Sequence, residues 1–177
     1  MEKNLLNVKG PIVVTGCQRS GTTIMTKIIC NDLGYLFHQD DEFDPNMEGI
    51  KRINLFTKHG INKIAIQSPI ILYAYDDFYH CIPDIHFIGM KRDEQDIIDS
   101  MKRVNWMEEV QEYYQDWDSY LKTHISHMNS MWENLKANLP ESSWTEIEYN
   151  SLKSHSLFIP KDLRTEFTIR QTEINGS

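Results

Sequence analysis

Residues 16–23 read Gly16-Cys17-Gln18-Arg19-Ser20-Gly21-Thr22-Thr23, two glycines with four residues between them, followed by paired hydroxyls. Such a run suits anion chemistry. Glycines permit a turn tight enough for successive backbone N–H groups to converge on a phosphate, and a helix starting directly afterwards adds the positive end of its dipole. The spacing matches that of a P-loop, except that the lysine expected before the final Ser or Thr is Thr22. A threonine carries no charge to the transferred phosphate, so ATP or GTP hydrolysis is disfavoured, and Arg19 is the replacement cation whose planar fork can hold two oxygens.

The flanking elements must present this loop. Ile12-Val13-Val14-Thr15 is a short β-branched run suited to a strand buried on both faces, and Ile24, Met25, Ile28, Ile29 and Leu33 recur at helical spacing up to a capping Gly34. The chain thus reads strand, loop, helix. Further strands are expected at 35–37, 63–66, 85–90 and 144–149, with helices at 46–59 and from Pro69 onward. This alternation predicts an α/β, P-loop-type three-layer fold with a mainly parallel sheet. From Met107 to Leu139 apolar residues recur every three or four positions, a seam for one long helix or two, packed on the sheet or used in a homodimer.

A second set of chemistry-bearing residues follows the 85–90 strand, where Arg92 stands at the sheet's C-terminal edge and Ser100 about two helical turns later. Acidic residues Asp40, Asp41 and Glu42 follow the second strand. His124 and His127 read as helix-surface residues, and no compact His, Cys and carboxylate set has the spacing of a zinc site. Tyr73, Tyr75, Phe78 and Tyr79 are either an aromatic pocket or ordinary packing.

These motifs resemble the sulfotransferases that use 3′-phosphoadenosine 5′-phosphosulfate (PAPS). The Arg19-Ser20-Gly21-Thr22-Thr23 segment is similar to their first signature, in the arginine form of the tyrosylprotein branch. Arg92 followed eight residues later by Ser100 is similar to the pair that binds the 3′ phosphate, and Tyr149-Asn150-Ser151-Leu152 is a weaker echo over a resemblance spanning residues 11–152. It implies that Gln18, Arg19, Ser20, Gly21, Thr22, Thr23, Arg92 and Ser100 bind PAPS, and 3′,5′-ADP after transfer, without a metal. Arg19 would be the catalytic cation. The ungapped comparison sets the base at Asp40, with Glu42 as rival. The Lys-Thr-His segment of the small-molecule branch is replaced by Gln67-Ser68-Pro69, and Glu94 departs from the usual Pro or Ala. A sugar, lipid headgroup, phenol or peptide tyrosine is the expected acceptor. The alternatives are a nucleotide kinase-like P-loop enzyme, which must explain Thr22, and a non-catalytic phosphonucleotide-binding protein.

The 177 residues are expected to form one domain over 1–177, the tail after Lys161 being weakly patterned. A net charge of −8 argues against general nucleic-acid binding, which rests on many Lys and Arg contacts. Three cysteines make no disulfide framework, and no leader or membrane-spanning run is evident, so a cytoplasmic location is expected.

Overall fold

The computed structural model describes residues 7–38 and 47–159. Its centre is a five-stranded sheet of β1 (Ile12–Thr15), β2 (Leu36–His38), β3 (Ile64–Gln67), β4 (His86–Lys91) and β5 (Trp144–Glu148). The order is β2-β3-β1-β4-β5, and every neighbouring pair is parallel. Glycine-bracketed β1 therefore occupies the middle position. Its register sets Ile12 beside both Ala65 and His86.

Alternation along the strands divides the core in two. On one face Ile12, Val14, Ala65, Ile88 and Ile147 pack with Met25, Ile28 and Ile29 of α1 (Thr22–Leu33). On the other, Val13, Ile64, Ile66 and Phe87 meet α2 (Met47–Lys58), α3 (Tyr75–Cys81), α4 (Glu94–Arg103) and α6 (Trp117–Asn138), with the short α5 (Glu108–Gln111) preceding the last. The expected three-layer α/β architecture is present. Within α6, Leu121, Ile125, Met128, Trp132 and Leu135 are buried, so this part of the apolar seam serves the chain's own core.

The seam is interrupted where the sequence allows one helix or two. Asp116 caps α6 by accepting the Ser119 N–H at 3.0 Å, which starts a new helix after α5 rather than continuing it. Pro69 opens a 3₁₀ turn over Pro69–Tyr73, not an α-helix, before α3 begins at Tyr75. Strands β2, β3 and β4 each begin and end one residue later than their composition suggests, because pairing to the neighbouring strand decides the bounds. No helix among the described residues is long and apolar enough to cross a membrane.

Candidate phosphate site

Strand β1 delivers the loop directly to the C-terminal edge of the sheet. Gly16 has φ 130° and Gly21 φ 109°, both in the left-handed half of backbone space. Gly21 is also sterically required, since a Cβ there would come within 2.5 Å of the Tyr149 ring. Between the glycines, the Ser20 N–H donates to Cys17 O at 3.0 Å and Arg19 adopts φ 68°. Gly21 is the N-cap of α1 and supplies no side-chain cap, while the first turn contains no acidic residue. The N-terminal N–H groups and the positive end of the helix dipole are thus left for an anion.

Cationic side chains gather at the rim. Arg19 Nε–H donates to Ser100 Oγ at 3.3 Å, and Arg103 donates to the same oxygen at 3.1 Å. Arg92 donates to the Arg19 carbonyl at 2.8 Å and lies 4.2 Å from the centre of the Tyr149 ring. Two guanidinium groups sharing one neutral hydroxyl, with a third tied to the same loop and 4.0 Å from the Asp96 carboxylate, bring positive charge to the mouth of the cradle. The structure therefore brings together Arg19 of the loop, Arg92 just beyond β4 and Ser100 of α4, as their sequence motifs suggest. Arg103 joins them because it lies one helical turn beyond Ser100, a relationship visible only once Ser100 is placed.

Buried oxygen atoms extend the site inward. Among the described residues, Ser20 Oγ has no hydrogen-bond partner, and at the end of β3 neither Gln67 Oε1 nor Ser68 Oγ has one. Ser20 and Ser68 are fully buried. Burial without a partner is costly for a hydroxyl, which makes these oxygens candidates for water or ligand contacts. Thr22 is buried and Thr23 half-buried in the first turn of α1. Cys17 is no nucleophile here, for burial pushes its thiol up to about 12.

His124 is a residue that the sequence reading places on the helix surface, whereas the structure half-buries it against the loop. Its Nε2 lies 2.8 Å from Gln18 Oε1, and burial, aided by the charge of His127, holds the imidazole pKa below its ordinary value. Its pattern neighbours on α6 gave no signal of a partner 106 positions away. The proposed aromatic pocket is dispersed: Phe78 is fully buried in the core, Tyr75 bonds Asn134 and Asn138, and Tyr73 is exposed. Asp40, Asp41 and Glu42 lie outside the described residues. Among the described residues, no three His, Cys, Asp or Glu side chains gather as a metal-ligand set.

No family model and no curated protein matches the chain. Solved structures do. One is an unliganded sugar kinase from Janibacter sp., at 14% identity and TM-score 0.52, covering 93% of this chain and 93% of that one. Another is the YorR protein of Bacillus subtilis in complex with phosphorylated GDP, at 12% identity and TM-score 0.51, covering 93% of this chain and 96% of that one.

These matches correct the sulfotransferase expectation, together with PAPS as donor and 3′,5′-ADP as product: the fold is shared with a sugar kinase and a protein holding phosphorylated GDP. The physical reason lies in what the motifs encode. Glycine spacing at a strand–helix junction specifies a cradle for phosphate and leaves the transferred group open. Arg92 and Ser100, which carried the rest of the resemblance, both attach to Arg19 and so belong to the loop's own rim.

Proposed function

We propose that the chain is a nucleotide kinase-like P-loop phosphotransferase in which arginine takes the place of the usual loop lysine. The observation that carries this reading is the loop of residues 16–21, opening onto the uncapped N-terminus of α1 and ringed by Arg19, Arg92 and Arg103. The sheet order and the likeness to a sugar kinase and to a protein complexed with phosphorylated GDP support the same class.

In this reading the backbone N–H groups of Gly21 to Thr23 hold the phosphate chain of a nucleoside triphosphate. Arg19 neutralises charge that builds on the oxygen between leaving and transferred phosphates, the task that Thr22 cannot perform. Arg92 is stacked on Tyr149 and bonded to the Arg19 carbonyl, which fixes the loop in its left-handed turn. Magnesium fits as an ion that arrives on the nucleotide: Thr23 stands where a P-loop hydroxyl holds it, and the orphaned oxygens of Ser20, Gln67 and Ser68 lie near the same sheet edge. When bound, the ion supplies neutralisation of the phosphate oxygens. Asp40 or Glu42, the carboxylates that follow β2 in the chain, is the proposed base for the acceptor hydroxyl.

Turnover tests the reading. With magnesium and ATP or GTP, a panel of sugars and nucleosides should support release of nucleoside diphosphate above the rate without acceptor. Asp40→Asn or Glu42→Asn should lower the saturated rate by roughly 10²–10⁴-fold. Acceptor-independent rates throughout, with no phosphorylated product, would leave a binding protein in place of an enzyme.

A further inference from the structure

An aromatic wall begins where Gln18 leaves the phosphate loop. The Trp106 ring is 5.0 Å from His124, His124 lies 6.4 Å from Tyr120 in a stacked arrangement, and Tyr120 is 4.9 Å from Trp117 and 4.1 Å from Tyr114. Trp106, Trp117, Tyr120 and His124 are half-buried, and Tyr114 is 42% exposed. Tyr114 is not part of the hydrophobic core, although it belongs to the seam that places Leu121 and Ile125 there. The hydrogen bond from His124 to Gln18 is the physical link between this wall and the phosphate cradle.

Polarity at that link is specific. With Gln18 Oε1 accepting, His124 Nε2 carries the hydrogen, so Nδ1 is the ring's acceptor. Among the described residues His124 makes no other hydrogen bond. Burial favours the neutral imidazole, as that acceptor role requires. A neutral acceptor beside flat apolar faces recognises a ligand that has both a planar ring and a polar hydrogen.

We infer that the wall of Trp106, Tyr114, Tyr120 and His124 is the acceptor subsite, and that it takes a planar ring-bearing alcohol whose ring stacks on the wall while its polar hydrogen bonds His124 Nδ1. The inference rests on the phosphotransferase reading for the word acceptor, but the subsite itself is a binding claim. Nucleosides and phenols share the chemistry, whereas open-chain polyols lack the stacking face. Gln18 then aligns the two substrates, since the same side chain belongs to the loop and touches the wall.

Tryptophan fluorescence reads the binding directly, because Trp106 is in the wall and Trp117 stacks on its Tyr120. Nucleosides, phenols and open-chain polyols are titrated into the full chain, and magnesium with ATP or GTP is titrated separately by calorimetry on the same samples. At least one nucleoside or phenol should bind saturably, and which of the two arms binds identifies the source of the ring. Trp106→Ala and His124→Ala should each raise its dissociation constant at least tenfold, while Tyr114→Ala, at an exposed position that a folded chain tolerates, should raise it severalfold. Absence of ring-alcohol binding, equal affinity for polyols, or unchanged affinity in the folded Tyr114 and His124 variants would overturn the subsite. Nucleotide binding separates the two ideas: ring-alcohol binding that depends on His124, without nucleotide binding, keeps the subsite and removes the phosphotransferase reading, and the reverse removes the subsite alone.

Discussion

Arg19 holds a backbone conformation that residues with a Cβ seldom adopt, φ 68°, and the flanking Gly21 holds one that they almost never adopt, φ 109°. The Arg92 bond to the Arg19 carbonyl helps to offset the strain at the first position, and the absence of a side chain removes it at the second. Gly21→Ala adds a conformational penalty and an overlap with the Tyr149 ring, which is itself packed against Arg92 and Phe158. The substitution should destabilise the protein by about 1–3 kcal/mol, the usual range for forced overpacking. Chemical denaturation of the two forms measures this. An unchanged midpoint would mean that Tyr149 moves aside freely and does not brace the loop. The turn of the loop was legible, because Gly16, Arg19 and Gly21, all at positive φ, form one contiguous local signal. Arg103 and His124 were not, since Arg103 acquires its meaning from Ser100, which meets the loop only on folding, and His124 from Gln18, 106 positions away.

At the scale of elements, a buried β-branched run made β1 readable, apolar residues after the Pro83-Asp84 turn did the same for β4, and Gly34 closed α1 as its position suggests, with φ 70°. The region from 107 to 139 was harder. Its three- and four-residue spacing persists through Tyr114 and Trp117, but full burial begins at Leu121, with Trp117 and Tyr120 only partly buried against the core. Apolar periodicity reports that a face is sticky, not whether it meets the sheet or a substrate. Here the cap by Asp116 marks the change: the seam residues Leu121 to Leu135 of α6 are buried in the core, while the rings of Tyr114, Trp117 and Tyr120 gather around the cap, next to the His124 that bonds Gln18. Which anion suits the cradle was not legible at this scale either, because a strand–glycine loop–helix unit fixes where an anion sits without fixing its identity.

Across the whole molecule, two titrating groups act on stability in the same direction. Burial pushes the His86 imidazole below its ordinary 6.5, against a bond to the Ser142 backbone that acts the other way, and its Nε2 lies 2.9 Å from Thr145 Oγ1. Burial would raise the Glu146 carboxyl, but bonds from Trp132 at 2.8 Å and Lys136 at 3.1 Å, with the charges of Lys136 and Lys91, outweigh it and hold the carboxyl below its ordinary 4.5. The unfolded chain therefore binds more protons than the folded one below these ordinary values. Stability from His86 is present above pH 6.5 and is lost as pH falls toward its lowered value; that from Glu146 is present above pH 4.5 and is lost as pH falls through its own. The melting temperature should accordingly decline from pH 7 to pH 4, and Glu146→Gln should flatten the part below pH 4.5 only. A slope equal to wild type in that part would show that the Trp132–Glu146–Lys136 network is too well hydrated to matter.

Nucleotide binding to the loop is the claim on which the functional account stands, and calorimetric titration of ATP and GTP with magnesium into wild type and Arg19→Ala tests it most directly. The account predicts saturable one-to-one binding of at least one of them in wild type. Loss of a charge-assisted hydrogen bond, about 1.5–3 kcal/mol, should weaken that binding roughly 10- to 150-fold in the variant. No saturable binding of either nucleotide, or identical affinity in the two proteins, would contradict it.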